Sequence, residues 1–317
     1  FSEQQYKNRD LTNRHSQAFH YLIPNRFDIN EVVEWFSAYS LTENKEKYLL
    51  SDLAYAQFKE RSEDALYAYP DSNGCASGNN YLEAILQGSL ELIERDAVAI
   101  WWYNMCERSF LDMNSIGSSY IEEIGKYYSS IERSLDIIDI TTDIGIPTFV
   151  AVSYDQTKRN GILYGFGCHV NPDIAVERAV TELNQLLPLA LTKRSTFCDQ
   201  TLYKWMDTES IDDHPYLYNS SETYISFIGL YKDESHNCLE SAVDHVINTF
   251  KAQDIELLAF NLTQADTKFP VVKMIAPGLR HFWRRTAAGR LFSVPVKMKW
   301  RQTMLNEDEL NIHSITI

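Results

Sequence analysis

The chain has 317 residues, enough for one large domain or two ordinary ones, and its 44% hydrophobic residues supply ample material for a core. Its formal net charge of −15 argues against a nucleic-acid-binding surface and against binding to anionic membranes. The five cysteines are far apart and form no CxxC pair, which is typical of reduced thiols in a cytosolic protein, and no signal peptide or transmembrane segment is visible. The sequence therefore predicts a cytoplasmic globular protein, with no nucleic acid and no membrane among its partners.

The first 70 residues give weak signals. Asp28–Ala38 is an acidic and aromatic stretch, and Tyr48–Phe58 has an apolar spacing that fits either a strand or a helix. We therefore treat residues 1–70 as an N-terminal segment whose structure the sequence does not determine.

A loop rich in Gly, Ser and Asn then leads into a long helix, in the stretch SNGCASGNNYLEAILQGSLELIERDA. Asn80 followed by Glu83 fits a capping box, and the periodicity predicts a helix that reaches Ile100. The polar face has no lysine and places Ala84 and Gly88 between its acids. A glycine inside a helix costs on the order of 1 kcal/mol relative to alanine, so we expect another group to approach closely there.

Two acids of this helix, Glu91 and Glu94, are three residues apart. That spacing can turn two carboxylates to one point, as a hard cation requires. It also fits an ordinary solvated helix surface, on which an intrahelical pair such as Glu91 with Arg95 forms. Spacing alone favours the solvated surface over the metal site.

The rest of the chain repeats one α/β pattern. LDIIDITTDIGIPTFVAVSYD and IELLAFNLTQADTKFPVVKMIAPGL both read as a strand, a polar turn with Asp and Pro, and a second strand. Helices over 120–134 and 239–253 precede them, and acid-bearing helices at 80–100 and 171–189 lie further upstream. The sequence therefore predicts a mixed α/β fold with two pseudo-symmetric halves. We expect the two acid-bearing helices to line one cleft.

The second acid-bearing helix begins with Asn171 as its N-cap. Glu182 and Gln185 share its polar face with Arg178. The preceding GFGCH suggests a strand end where the backbone comes close to another group. His169 in that stretch is the one histidine with a candidate functional position, although a structural role is favoured.

An aromatic and basic run, GLRHFWRRTAAGRL, concentrates Arg280, Arg284, Arg285 and Arg290 in an otherwise acidic chain. Two interpretations stay open. The arginines form a solvated patch paired with surface acids, or some of them face phosphate or carboxylate oxygens, which match the arginine fork. The phosphate loop, the complete dinucleotide fingerprint and the GxSxG and HExxH motifs are all absent.

Three blocks of the chain resemble the YcaO family, and they occur in that family's order. They are SNGCASGNNYLEAILQGSLELIERDA, GFGCHVNPDIAVERAVTELNQ and FPVVKMIAPGLRHFWRRTAAGRLFSVPVKMKW, with DELN near the end. The resemblance implies a YcaO-like fold in a single domain over 1–317. Its parts are the N-terminal segment 1–70, a first α/β half 71–165 with the ATP/Mg²⁺ helix, and a second α/β half 166–317 with the C-terminal tail.

The resemblance also implies an ATP and Mg²⁺ site built from helix carboxylates, with no phosphate loop. Carried over by position, Glu91 and Glu94 hold Mg²⁺ on the phosphates. The nucleotide site then comprises, in chain order, Asn79, Glu83, Arg95, Glu182, Gln185 and Arg285. The resemblance identifies no single catalytic residue.

Members of the family use ATP to activate a peptide-bond oxygen. The resemblance therefore implies azoline formation from Cys, Ser or Thr in a ribosomally made precursor peptide. One alternative is thioamide formation with a sulfur-transfer partner, and another is a degenerate scaffold that only binds the precursor. The implied partners are the precursor peptide and an E1-like (ThiF-like) leader-binding protein or fused domain, with a homodimer left open.

Two features depart from the family pattern. A Ser-x-x-x-Glu-x-x-Glu-Arg helix of the family has no match in 1–70, and the chain begins at Phe1. We therefore expect the N-terminal part of the family fold to be missing from this chain. Azoline-forming members tend to end in a proline-rich tail that reaches the active site, whereas this chain ends in ELNIHSITI, which keeps the scaffold alternative open.

Overall fold

The computed structural model describes residues 1–15, 21–54, 66–69, 71–192, 200–231 and 238–315. The chain folds as two compact units, each formed from two stretches of sequence. Unit 1 comprises Phe1–Ala99 and His236–Leu291, and unit 2 comprises Ile100–Ser235 and Phe292–Ile317. The boundaries predicted near residues 70 and 165 stay a prediction.

The described residues form a mixed set of strands and helices. In chain order, the strands are β1 (Trp35–Ser40), β2 (Lys45–Leu50), β3 (Cys75–Ser77), β4 (Phe110–Asp112), β5 (Asp136–Asp139), β6 (Thr148–Ser153), β7 (Leu163–Cys168), β8 (Tyr224–Ser226), β9 (Leu258–Asn261) and β10 (Val271–Ile275). The α-helices are α1 (Glu3–Lys7), α2 (Arg9–His15), α3 (Ser51–Ala54), α4 (Tyr81–Tyr103), α5 (Ser119–Ser130), α6 (Pro172–Thr192), α7 (Gln200–Thr208), α8 (Leu239–Ala252) and α9 (Arg290–Lys297). In these ranges, no helix combines the length and the apolar character needed to cross a bilayer.

Unit 1 contains an antiparallel sheet with the strand order β2-β1-β9-β10-β3. β10 lies between β9, where Val272 is opposite Asn261, and β3, where Val271 is opposite Ser77. Ala38, Leu258 and Phe260 form a buried apolar cluster on this sheet. Strand β3 directly precedes α4, so the sheet fixes the start of the acid-bearing helix.

Unit 2 contains a second sheet with the order β7-β6-β5-β4-β8. Every residue of β6 and of β7 is buried. β6 lies inside the sheet, and β7, at the end of the sheet, is covered by α6. A Cβ on Gly165 would come within 2.1 Å of the Leu183 amide nitrogen, and one on Gly167 within 2.1 Å of the Ala175 carbonyl oxygen. The close approach predicted at GFGCH is therefore confirmed, and the approaching group is the backbone of α6.

The predicted duplication is present in the two sheets. In unit 2, the order α5, β5, β6, β7 and α6 follows the chain without interruption. In unit 1, α8, β9 and β10 follow each other, while β3 and α4 come from an earlier part of the chain and complete the same arrangement. The mixed α/β fold class is confirmed, and the four predicted helices appear with ends shifted by a few residues.

The N-terminal segment contains structure that the sequence did not indicate. β1 and β2 form a hairpin in which Trp35 is opposite Leu50, and β1 continues the sheet because Tyr39 pairs with Ala259 of β9. The ambiguous stretch Tyr48–Phe58 ends β2 and forms α3, and its residues beyond 54 lie outside the described ranges. The four cysteines in those ranges, Cys75, Cys106, Cys168 and Cys238, are free thiols.

Candidate functional site: the acid-bearing helix

The start of α4 joins two of the predicted site residues. The Asn80 side-chain oxygen accepts a hydrogen bond from the Glu83 amide at 2.9 Å, so Asn80 is the N-cap. The Glu83 carboxylate accepts from Asn79, at 2.7 Å from its backbone N–H and at 2.9 Å from its side-chain amide. The predicted capping box is therefore only half correct: the Glu83 carboxylate accepts from Asn79, the residue before the N-cap, and not from the Asn80 backbone amide. Asn79 and Glu83 are fixed as a pair.

The close approach predicted beside Gly88 is confirmed, and the approaching groups belong to the protein itself. Ala84 is completely buried. A Cβ on Gly88 would lie 2.6 Å from the Met274 side chain and 2.8 Å from the Gly74 carbonyl oxygen. The small residues therefore let α4 pack closely on β10 and on the loop before β3. The outward face of this part of the helix is reduced to Glu83, Gln87, Glu91, Glu94 and Arg95.

Glu91 and Glu94 converge on one guanidinium group. Arg95 Nη2 lies 3.4 Å from Glu91 Oε1, and Arg95 Nε lies 3.7 Å from Glu94 Oε1. Only 26% of the Glu91 side chain, 13% of Glu94 and 17% of Arg95 is exposed, so this group is not a solvated surface pair. The guanidinium also lies over the Phe282 ring at 4.1 Å, which holds it in place.

Burial raises the pKa of Glu91, although Arg95, a hydrogen bond from the Gly74 amide and Lys273 act in the opposite direction. That amide donates to Glu91 Oε2 at 3.2 Å. The charged carboxylate is therefore incompletely compensated by its neighbours, and a nearby divalent cation would compensate it further. Carboxylate oxygens are the ligands that Mg²⁺ prefers, so Glu91 and Glu94 fit this ion.

Two charged residues near Glu91 were missed by sequence reasoning. Lys273 on β10 is buried and donates to Asp71, at 2.9 Å to its carboxylate and at 2.6 Å to its carbonyl oxygen. Asp71 Oδ2 also lies 3.5 Å from His281 Nε2. The sequence did contain a signal for this pair. A lysine inside the apolar strand VVKMI is expected to be buried, and a buried charge requires an oppositely charged partner.

The arginines of the basic run are half-buried, which does not fit a solvated patch. Arg290 Nη2 pairs with the fully buried carboxylate of Asp96 at 2.7 Å. Arg280 donates from its backbone to the same carboxylate at 2.8 Å and from Nη2 to the Ala288 carbonyl at 2.6 Å. Arg285 lies over the Phe1 ring at 4.3 Å. A contact of Arg280, Arg284 or Arg285 with a ligand stays a prediction.

The predicted residues of the second block lie on α6 of unit 2. The Asn171 side chain caps this helix by accepting from the Asp173 amide at 2.8 Å. Glu182 is half-buried and Gln185 is exposed, both on the outward face. His169 Nδ1 accepts from the Asn171 amide at 3.0 Å, in agreement with a structural role. The nucleotide contacts of Glu182 and Gln185, and the shared cleft, stay predictions.

The family model described as YcaO cyclodehydratase, ATP- and Mg²⁺-binding, matches residues 2–280. The chain therefore belongs to the YcaO family, whose cofactors are ATP and Mg²⁺, and the resemblance in its sequence is confirmed.

Solved structures agree with this assignment. A heterocyclase in complex with substrate and cofactor has a TM-score of 0.93 and 37% identity, covering 100% of this chain and 42% of that chain. The heterocyclase TruD has a TM-score of 0.90 and 34% identity, covering 100% of this chain and 44% of that chain. YcaO from Methanopyrus kandleri, bound with AMPPCP and Mg²⁺, shares the fold with a TM-score of 0.63 and 20% identity, covering 82% of this chain and 68% of that chain. This chain thus spans less than half the length of the two heterocyclases.

Proposed function

We propose that the protein uses ATP and Mg²⁺ to activate backbone amides of a ribosomally made precursor peptide and converts Cys, Ser or Thr residues to azolines. The observation that carries this proposal is the half-buried carboxylate pair of α4, Glu91 and Glu94, in a chain of the YcaO cyclodehydratase family. The similarity to two heterocyclases supports azoline chemistry over other reactions of the family.

In the proposed reaction, the side-chain thiol or hydroxyl of the peptide attacks the preceding amide carbon. ATP supplies the phosphoryl group that makes the former amide oxygen a leaving group, so phosphate departs as the carbon–nitrogen double bond forms and the amide proton is lost. The products are the azoline, ADP and phosphate. The protein mainly places these groups and neutralises their charge, as in phosphoryl transfer generally.

Each predicted residue then has a defined task. Glu91 and Glu94 hold Mg²⁺ against the phosphates, and Arg95 fixes their direction from its place over the Phe282 ring. The Asn79–Glu83 pair orders the start of the helix for the nucleotide. The remaining proposed nucleotide contacts come from Glu182, Gln185 and Arg285.

The proposed partners are the precursor peptide and an E1-like, leader-binding protein or domain. The structure of a heterocyclase similar to this chain was solved in complex with its substrate, which supports the proposal that this chain also binds a substrate of that kind. The cytoplasm is the proposed location, because the four described cysteines are free thiols. A homodimer remains an alternative assembly.

Two other functions make different products. Thioamide formation would replace the amide oxygen by sulfur, whereas azoline formation removes one water from the peptide. A degenerate scaffold would bind the precursor without ATP turnover. The half-buried acids of α4 favour an enzyme over this scaffold.

The test is Mg²⁺-dependent phosphate release by the full-length protein with its precursor peptide and leader-binding partner. We expect Glu91→Gln to lower the rate about 100-fold or more, a loss of about 2.7 kcal/mol of transition-state stabilisation, because the amide binds Mg²⁺ poorly. Glu240→Gln, on the exposed face of α8, serves as the matched control and should keep the wild-type rate.

Mass spectrometry of the peptide identifies the product. Loss of one water per modified residue supports azoline formation, and exchange of oxygen for sulfur would show a thioamide. Equal phosphate release by wild type and Glu91→Gln would remove the metal role of α4. Peptide binding without any phosphate release in the wild type would establish the scaffold.

A further inference from the structure

A second cluster of candidate ligands lies in unit 2 and shares no residue with the candidate ATP site. Among the residues that the structure describes, Glu209, His214 and His313 each offer one ligand atom within 4.8 Å of the other two. His214 Nε2 lies 3.1 Å from Glu209 Oε2, and His313 Nε2 lies 3.7 Å from the same oxygen. Sequence reasoning missed this cluster because His313 is far from the other two along the chain.

The two distances to Glu209 Oε2 match the spacing of ligands around one metal ion. Zinc bonds of about 2.0–2.2 Å in a tetrahedral site place neighbouring ligand atoms about 3.3–3.6 Å apart. The two observed separations, 3.1 and 3.7 Å, lie on either side of that spacing. The longer one exceeds the range of a hydrogen bond, so hydrogen bonding alone does not account for both imidazoles at one carboxylate oxygen.

We propose that Glu209, His214 and His313 bind one divalent transition-metal ion of the zinc type, which fastens the C-terminal tail to unit 2. Two imidazoles and one carboxylate are a common ligand set for zinc. Mg²⁺ prefers oxygen ligands, so this metal site differs in chemistry from the carboxylate pair of α4.

The first two ligands are held by local backbone structure. The Glu209 amide donates to the Trp205 carbonyl at 3.0 Å, which continues the last turn of α7. His214 joins two short 3-10 turns: its amide donates to Ile211 at 3.1 Å, and its carbonyl accepts from Leu217 at 2.9 Å. Glu209 and His214 therefore face each other before any ion binds.

The third ligand belongs to the C-terminal tail, which is anchored beside it. The His313 amide donates to the Asn311 side chain at 3.0 Å, and its carbonyl accepts from Trp102 Nε1 at 2.7 Å. The Asn311 side chain also donates to the Tyr216 hydroxyl at 2.9 Å. The tail thus presents His313 in a fixed position, which lowers the entropy lost when the metal binds.

The surroundings allow an ion to enter from one side. The Trp205 ring lies 4.9 Å from the His214 ring and 5.3 Å from the His313 ring, between centroids, and shields the cluster. The His214 side chain is 8% exposed, whereas His313 is 33% exposed. Solvent therefore reaches the cluster beside His313, where a water molecule can complete four-fold coordination.

The test is a Zn²⁺ titration of the full-length protein after removal of metals with a chelator, with excess Mg²⁺ present to occupy carboxylate sites. We expect the wild type to bind one Zn²⁺ per chain with a Kd below about 1 μM. His313→Gln should weaken binding about 100-fold or more, because one of three ligands is lost. His313 is chosen since its partial exposure makes the variant less damaging to the fold than one at buried His214.

Three further proteins separate this site from other binding. Glu209→Gln should also weaken Zn²⁺ binding. His15→Gln, at an exposed histidine of unit 1, and the double variant Glu91→Gln/Glu94→Gln should keep the wild-type affinity. Added Zn²⁺ should raise the melting temperature of the wild type and leave that of His313→Gln unchanged. Equal Zn²⁺ affinity in the wild type and His313→Gln, or no tight binding by the folded wild type, would overturn the proposal.

Discussion

Two strand–helix segments, β3–α4 of unit 1 and β7–α6 of unit 2, share a backbone framework. Asn80 and Asn171 cap the two helices, each accepting a backbone N–H, at 2.9 and 2.8 Å respectively. Glu91 stands at the same offset from Asn80 as Glu182 does from Asn171. The residue that follows each short strand donates its amide to the carbonyl of a proline, at 3.2 Å in both units.

The two helices differ in charge. At matching positions, Glu83, Glu94 and Arg95 of α4 correspond to Ile174, Gln185 and Leu186 of α6. Among the charged residues of the two helices, only the glutamate at positions 91 and 182 is common to both. The shared framework therefore comes from capping and packing, whereas the two acids that converge on an arginine belong to α4. A duplicated fold predicts where a side chain lies and leaves its chemistry to be argued separately.

The turns between the paired strands show the same relationship. Thr141 Oγ1 accepts from the Thr148 amide at 3.0 Å, and Thr263 Oγ1 accepts from the Val271 amide at 3.2 Å. In unit 2, Thr141 also shares a 2.7 Å hydrogen bond with the Tyr231 hydroxyl. One turn is thus connected to a further element, and we expect its loss to matter more.

The largest difference in stability should come from the glycines that let helix and sheet approach. In Gly167→Ala, the new Cβ would lie 2.1 Å from the Ala175 carbonyl oxygen and 2.5 Å from the Ala179 amide nitrogen. Because both are backbone atoms of α6, we expect a loss of about 3 kcal/mol or more in the free energy of unfolding. Denaturant unfolding of the purified variant measures it, and failure to fold would agree with this expectation.

The corresponding contact in unit 1 should be more tolerant. The Cβ of Gly88→Ala would meet the flexible Met274 side chain at 2.6 Å and the Gly74 carbonyl at 2.8 Å. Alanine also gains about 1 kcal/mol of helix propensity, so we expect a smaller net loss of about 1–2 kcal/mol. Gly125→Ala, which faces only a side-chain methyl at 3.1 Å, is the control in α5. A larger loss for Gly88→Ala than for Gly167→Ala would contradict this comparison.

The threonine turns should give a smaller effect. We expect Thr141→Val to lower the free energy of unfolding by about 1–3 kcal/mol and Thr263→Val by about 1 kcal/mol. Both variants lose the hydroxyl that accepts a backbone amide, but only Thr141→Val also loses a hydrogen bond with the Tyr231 hydroxyl. Thermal and denaturant unfolding measure both, with the exposed Thr157→Val as a neutral control. Equal losses would mean that the Tyr231 hydrogen bond contributes nothing to stability.

The sequence predicted the parts of the fold that depend on local signals. Asn80 and Asn171 indicate where the two helices begin, because both are capping residues, and the apolar periodicity indicates how far the helices extend. Strand β3 was not predicted, because three residues in a loop rich in Gly, Ser and Asn become a strand only through pairing with β10. The hairpin β1–β2 was missed for the same reason, since its sheet is completed by β9 from the far end of the chain.

The candidate site follows the same division. Glu91 and Glu94 could be proposed as site residues because their spacing and the family motif are local. The Lys273–Asp71 ion pair and the Glu209–His313 contact join residues far apart in sequence, so no window of residues contains them. The group that approaches Gly88 could not be predicted, because a helix glycine beside a ligand and one beside a methionine have the same local sequence.

The smallest effect concerns the charge of Glu91 without metal. Burial raises its pKa, so the folded protein holds this proton more tightly than the unfolded chain does. Stability from this group is therefore complete below the ordinary glutamate pKa and is lost as the pH rises through the folded value. Glu91→Gln removes this loss, while its amide oxygen can still accept from the Gly74 amide.

With Mg²⁺ chelated, Glu91→Gln should therefore melt about 1–3 °C above wild type at neutral pH, and the difference should disappear as the pH falls to about 4. Melting curves across this pH range, with Glu240→Gln as the exposed control, measure it. A lower melting temperature at neutral pH would mean that the Arg95 ion pair outweighs the burial of the carboxylate. Glu91 of α4 would then be a structural partner of Arg95, and the charge difference between α4 and α6 would reflect stability and not metal binding.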